Sequence, residues 1–162
     1  MMPYIKTFEV RWSDLDANRH LANTSYMTYM VHTRMSFFAD KGFSQERFAE
    51  YQIGPAVLHE EVFYLHEILP GDSVRVDIEL GGRSNDYRFQ TLEHGLYNGQ
   101  GLLAGYCKAT ICWMDLNTRK VAYLPEQLKA MIDKMPRSES YRILEKTDTL
   151  KHHLVPAHKL NL

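Results

Sequence analysis

Apolar and polar residues alternate from Thr7 to Trp12, with Phe8, Val10 and Trp12 on one side and Glu9 and Arg11 on the other, the signal of a half-buried strand. A polar, turn-forming stretch follows, Ser13-Asp14-Leu15-Asp16-Ala17-Asn18-Arg19-His20-Leu21-Ala22-Asn23, which reads as a loop. From Thr24 to Lys41 there is neither Pro nor Gly, and Gly42 stands where a left-handed C-cap belongs, so one long helix is predicted. Its apolar residues, among them Tyr26, Met30, Val31, Met35 and Phe37, wrap most of the circumference and predict a helix packed on several sides. After a short helical or irregular stretch near Ser44–Gln52 come four β-rich segments, Ala56–Ile68, Ser73–Leu80, Tyr87–His94 and Leu102–Met114. They are separated by Pro70-Gly71-Asp72, by Gly81-Gly82 with Ser84-Asn85-Asp86, and by Asn98-Gly99-Gln100-Gly101, all short enough for antiparallel hairpins. Leu124-Pro125 opens a short helix to about Met135, and the polar remainder reads as a tail in which His152-His153 is solvated surface.

A single helix cannot cover a five-stranded sheet unless the sheet curls round it, so the order of elements predicts an α+β fold: a five-stranded antiparallel sheet wrapped round one long central helix. Residues 1–135 form that domain and residues 136–162 the tail. An open edge strand in such a sheet invites pairing across a two-fold axis, which predicts a homodimer or a dimer of dimers.

Charge narrows the partners: 19 Lys+Arg stand against 20 Asp+Glu, a formal net charge of -1, so no global basic field exists to recruit nucleic acid or anionic lipid. No apolar run reaches the roughly 18 residues of a membrane span and the first residues do not resemble a secretion signal, from which a soluble, cytoplasmic protein is expected. Cys107 and Cys112 fall on opposite faces of one strand and read as buried, reduced thiols.

Chemistry concentrates in the loop before the long helix. A lone loop aspartate is usually an Asx-turn, but here Asp16 is followed in register by His20 and Asn23, just ahead of a helix N-terminus whose amides can stabilise an oxyanion. Asp14 pairs more naturally with Arg11 or fixes the loop. Asn23 is a candidate cap or amide contact, Tyr26 and Met30, with Phe37, are candidates for one wall of an apolar pocket, and Arg83 with Ser84 joins two strands beside glycines, with Arg83 able to pair with a phosphate. Asp16 and His20 lack a third ligand in reach, so no metal site is predicted.

The ordered set Arg11, Trp12, Asp14, Asp16, His20, Asn23, Tyr26, continued by Tyr64, Pro70, Gly71-Asp72 and Leu124-Pro125, resembles the hotdog-fold thioesterase superfamily, in particular the 4-hydroxybenzoyl-CoA and long-chain acyl-CoA thioesterase group. The resemblance spans most of residues 5 to 130 and implies hydrolysis of an acyl-CoA or acyl-carrier-protein thioester, with Asp16 as nucleophile or general base and His20 and Asn23 in support. Coenzyme A would then be part of the substrate, with no separate cofactor. Two positions depart from the pattern: Arg19 replaces a glycine before the histidine, and Ala22 replaces a second asparagine. The alternatives are a non-catalytic acyl-CoA-binding module on the same fold and, less favoured, a hotdog dehydratase.

Overall fold

Strand β1 (Tyr4–Glu9) ends three residues earlier than the alternation predicts. Asp14 terminates it: its carboxylate accepts the Arg11 backbone N–H at 2.9 Å and Arg11 Nε at 3.1 Å, winding Trp12–Asp14 into a 3-10 turn. Trp12 thereby leaves the strand face expected for it and is 85% exposed. The computed structural model describes residues 3–149, Val155 and residues 157–160. His152 and His153 lie outside the described residues.

Helix α1 (Asn23–Asp40) follows, and its end is sealed as the glycine predicts. Gly42 adopts φ +88°, its N–H bonds Ala39 O at 2.9 Å and the Phe43 N–H bonds Phe38 O at 2.8 Å, the paired bonds of a Schellman motif. Ser44 then caps α2 (Gln45–Tyr51) by accepting the Arg47 N–H. The remaining strands are β2 (Ile53–Tyr64), β3 (Ser73–Arg83), β4 (Phe89–Tyr97) and β5 (Leu103–Asp115), with α3 (Glu126–Asp133) after them.

These strands pair antiparallel in the order β1-β3-β4-β5-β2, so among the described residues β2 has a neighbour on one side only. α1 lies against the inner face of the sheet, burying Tyr26, Tyr29, Met30, Arg34, Phe37 and Phe38, while Val31 and Met35 face outward at 40% and 38% exposure. The helix is therefore less enclosed within one chain than its sequence suggests. Val74, Val76, Ile78 and Leu80 alternate inward along β3 and join the core beneath it, as do Leu92 and Leu96 of β4.

The segment after Pro136 holds a strand that its polar sequence did not reveal. β6 (Arg137–Ile143) runs parallel to β3, pairing Arg137 with Leu80 and Arg142 with Gly82. Gly81-Gly82, read from sequence as a turn, is thus part of β3. A side chain at Gly82 would lie 2.7 Å from the Arg142 carbonyl oxygen, which is why the strand needs glycine there. Among the described residues no helix is long and apolar enough to cross a membrane.

Candidate active site

Asp14 builds the frame. It is 7% exposed, and its carboxylate accepts from Arg11 and from Tyr29 Oη at 2.7 Å. Burial works to raise its pKa, but these hydrogen bonds and the Arg11 charge override it and hold the carboxyl below the usual range. Its backbone oxygen accepts the Ala22 N–H at 2.8 Å and Ser25 Oγ at 2.9 Å, so one residue ties the exit of β1 to the start of α1. This is the pairing and loop-fixing role expected of it.

Within that frame the chain from Asp16 to His20 closes on itself. The Asp16 N–H bonds His20 O at 2.8 Å, the Arg19 N–H bonds Asp16 O at 3.1 Å, and Asp16 Oδ1 accepts the amides of Asn18 at 2.8 Å and His20 at 3.2 Å. The Asx-turn engages only one oxygen of the carboxylate: Oδ1 is fixed by the backbone, and Oδ2 accepts no hydrogen bond among the described residues. The turn demands a left-handed residue, and Arg19 supplies it at φ +64° although it is not glycine.

Asp16, His20, Leu21, Asn23 and Tyr26 line one side of a cleft of about 290 Å³; Tyr64, Leu65, His66 and Glu67, at the end of β2 and just beyond it, line the other. His20 Nε2 lies 3.1 Å from Glu67 Oε2, so its side chain clasps the far wall while its backbone holds Asp16. Tyr26 Oη donates to His66 O at 2.9 Å, and its ring meets Tyr64 edge-on with centroids 5.2 Å apart. Burial, with Tyr64 and Glu67 adding to it, raises the Tyr26 pKa and keeps it a donor.

Asn23 is the first residue of α1, and Ala22 occupies the N-cap without a side-chain bond, so Asn23 is not the cap. The amides of Ser25 and Tyr26 bond Ala22 O, and those of Asn23 and Thr24 head the helix, where N–H groups have no intrahelical acceptor. Met30 is fully buried and does not line the cleft, and Phe37 lines a separate cavity at the other end of α1, so Tyr26, Met30 and Phe37 do not form one wall. Arg83 and Ser84 do not line the cleft either: the Arg83 guanidinium stacks 3.9 Å from the Tyr87 ring centroid beside Asp133, and Ser84 Oγ donates to Asp86 Oδ1 at 2.6 Å.

The second wall escaped the sequence, since Tyr64 was read only as part of the resemblance and Glu67 carries no local signal. Cys107 and Cys112 are buried, and burial, with Glu60 nearby, pushes the Cys107 thiol up to about 11, far from a reactive thiolate. Among the described residues no group of His, Cys, Asp and Glu side chains is arranged to hold a metal ion.

A sequence model of the thioesterase-like superfamily matches residues 10–132. Among solved structures, a thioesterase from Thermus thermophilus complexed with coenzyme A and Zn is 27% identical, with 79% of this chain and 90% of that one covered and a TM-score of 0.66. A DHNA-CoA thioesterase from Staphylococcus aureus is 20% identical, covering 83% and 91% at a TM-score of 0.75. A 1,4-dihydroxy-2-naphthoyl-CoA thioesterase from Synechocystis is 12% identical, covering 82% and 97% at 0.73. The curated proteins contain no significant match.

Proposed function

The chain belongs to the thioesterase-like superfamily, and from that premise we propose that it hydrolyses the thioester of an acyl-CoA or acyl carrier protein with Asp16 as the reactive carboxylate. The observation that carries this reading is that Asp16 and Asn23, the first residue of α1, line one cleft, with Asp16 Oδ1 held by two backbone N–H groups. The carrier preference for coenzyme A is supported by the Thermus thermophilus relative, which binds it.

Thioester hydrolysis needs an attacking oxygen and a place for the charge that develops on the carbonyl. The amides of Asn23 and Thr24, at the positive end of an 18-residue helix, suit the second need. Asp16 meets the first in either of two ways. As general base it takes a proton from water, the hydroxyl oxygen bonds the acyl carbon, the C–S bond breaks, and the proton passes to the departing sulfur. As nucleophile its free oxygen bonds the acyl carbon directly and expels the thiolate, and water then splits the mixed anhydride to return the carboxylate. His20, clasped to Glu67, and Asn23 at the helix start keep the cleft in shape, and Tyr26 with Tyr64 offers an aromatic surface to the acyl group.

The test is release of free thiol from short, long and aromatic acyl-CoAs by wild type and by Asp16→Asn. A fall of about a hundredfold or more in the variant is expected for loss of a general base or nucleophile. Equal activity in the two proteins, or no thiol release from any substrate by wild type, refutes the role of Asp16. Single turnover in ¹⁸O-water then tests the nucleophilic route: label in the Asp16 carboxylate arises only when water opens the anhydride at the Asp16 carbonyl, whereas base catalysis places it in the product acid alone.

A further inference from the structure

Away from the Asp16 cleft, a cavity of about 580 Å³ opens where the C-terminal end of α1 meets α2 and one face of α3. That volume lies in the range of roughly 300–1,000 Å³ typical of small-molecule sites. Its floor is apolar and aromatic: Phe37, Phe43, Tyr51 and Met131 line it, with Phe37 only 1% exposed and Phe43 6%. Its charged lining is entirely cationic, Lys41, Arg47 and Lys134, with no carboxylate among the lining residues.

The three cations are not equivalent. Arg47 is neutralised by Glu50 at 2.7 Å and lies over the Tyr51 ring, 4.9 Å from its centroid. Lys41 and Lys134 form no ion pair among the described residues; Lys41 Nζ stands 5.8 Å from the Phe37 ring centroid. They occupy the C-cap positions of α1 and α3 respectively, where each offsets a helix dipole. A helix C-terminus carries roughly half a negative charge, so two such ends take up about one of the two lysine charges and leave about one positive charge facing an apolar chamber.

The geometry points to a binding site for an amphipathic monoanion, an aliphatic or aromatic body with one carboxylate, whose apolar part rests on Phe37, Phe43 and Met131 and whose head pairs with Lys41 and Lys134. This site is separate from the Asp16 cleft and does not depend on the reaction assigned there. A neutral ligand of the same shape would gain the apolar contact and forgo the charge, which makes charge the discriminating property.

The experiment titrates the full chain, labelled with ¹³C at its methionine methyls, with decanoate and with decanol, following the Met131 resonance assigned by Met131→Leu. Decanoate is expected to shift that resonance saturably, decanol to bind at least tenfold more weakly, and Lys41→Glu/Lys134→Glu to weaken decanoate at least tenfold while thiol release from acyl-CoA stays unchanged. Lys134→Ala alone, with less effect on charge at the helix ends, is expected to weaken decanoate by a smaller factor. The proposal is overturned by the absence of a saturable Met131 shift, by decanol binding as tightly as decanoate, or by undiminished decanoate affinity in both lysine variants. Joint loss of decanoate binding and of thiol release in the double variant would place the ligand in the reactive cleft and overturn it equally.

Discussion

Arg19 holds a backbone conformation, φ +64°, that costs a side-chain-bearing residue roughly 1–2 kcal/mol. Two backbone–backbone bonds and two from backbone N–H groups to the Asp16 carboxylate enforce it, so the strain is borne by the turn that aims the proposed reactive carboxylate. Glycine would relieve the strain but enlarge the freedom of the unfolded chain by roughly 0.5–1 kcal/mol. Arg19→Gly is therefore expected to stabilise the protein by about 0.5–1 kcal/mol, read as a midpoint shift in urea; an unchanged or lowered midpoint would show that the arginine side chain compensates for its backbone. The departure at this position was legible in the sequence; that an arginine would nevertheless hold the left-handed conformation was not. The residues across the cleft were not: Tyr26 reaches His66 over 40 residues of chain, and His20 meets Glu67 only because β2 folds back toward α1. Contacts of that range leave no periodic trace.

Three strands and α1 meet in a buried polar knot around His94, which is 0% exposed. His94 Nδ1 lies 2.8 Å from the Asp77 carbonyl oxygen of β3 and Nε2 lies 3.4 Å from Arg34 Nε of α1, while Arg34 Nη2 reaches Glu60 Oε1 of β2 at 3.1 Å. The neutral Nδ1–H tautomer satisfies both neighbours, whereas a protonated ring would turn an N–H toward the Arg34 cation. Burial first, and Arg34 second, push the His94 pKa down to about 3. The unfolded value is about 6.5, so between the two the unfolded chain binds more protons than the folded one. Stability contributed by this histidine is complete above about pH 6.5 and declines as pH falls, by up to ~1.4 kcal/mol per unit. His94→Gln, which keeps a donor and an acceptor, is expected to abolish that part of the acid slope in urea unfolding at pH 7.5, 6 and 5; equal slopes would exclude a neutral buried His94. Taking the difference between the proteins cancels Asp77, whose raised pKa acts in the opposite sense in both. At this scale the sequence reveals most elements because each obeys a local rule: alternation for the strands, a Gly42 stop for α1. It misleads where a tertiary contact reuses a local signal. Trp12 continues the alternation yet leaves the strand because Asp14 caps Arg11, and Gly81-Gly82 looks like a turn because close approach to β6 and tight turning call for the same residue.

Across the whole molecule the two sides of the sheet are finished differently. Among the described residues β2 pairs only with β5, and Val57, Leu58 and Phe63 along it are 48%, 46% and 52% exposed, apolar side chains beside an open sheet edge. We propose that a second copy of the chain covers this edge, giving the two-fold dimer expected of the fold. Wild type is then expected to sediment as a dimer at micromolar concentration and Val57→Lys/Leu58→Lys as a monomer; a monomeric wild type would refute the pairing. The opposite side is finished by two short segments of the same chain, both paired to β3. β1 covers β3 from Ser73 to Ile78, and β6 takes over between Leu80 and Arg83, with Ser140 Oγ donating to Glu93 Oε1 at 2.6 Å beside the junction. The two segments that finish this border come from opposite ends of the sheet's sequence order, which sets a timetable for synthesis. β1 can pair as soon as β3 leaves the ribosome, but the stretch from Leu80 to Arg83 waits until β4, β5 and α3 have also emerged, and during that interval a nascent chain on a neighbouring ribosome presents the same unfilled groove.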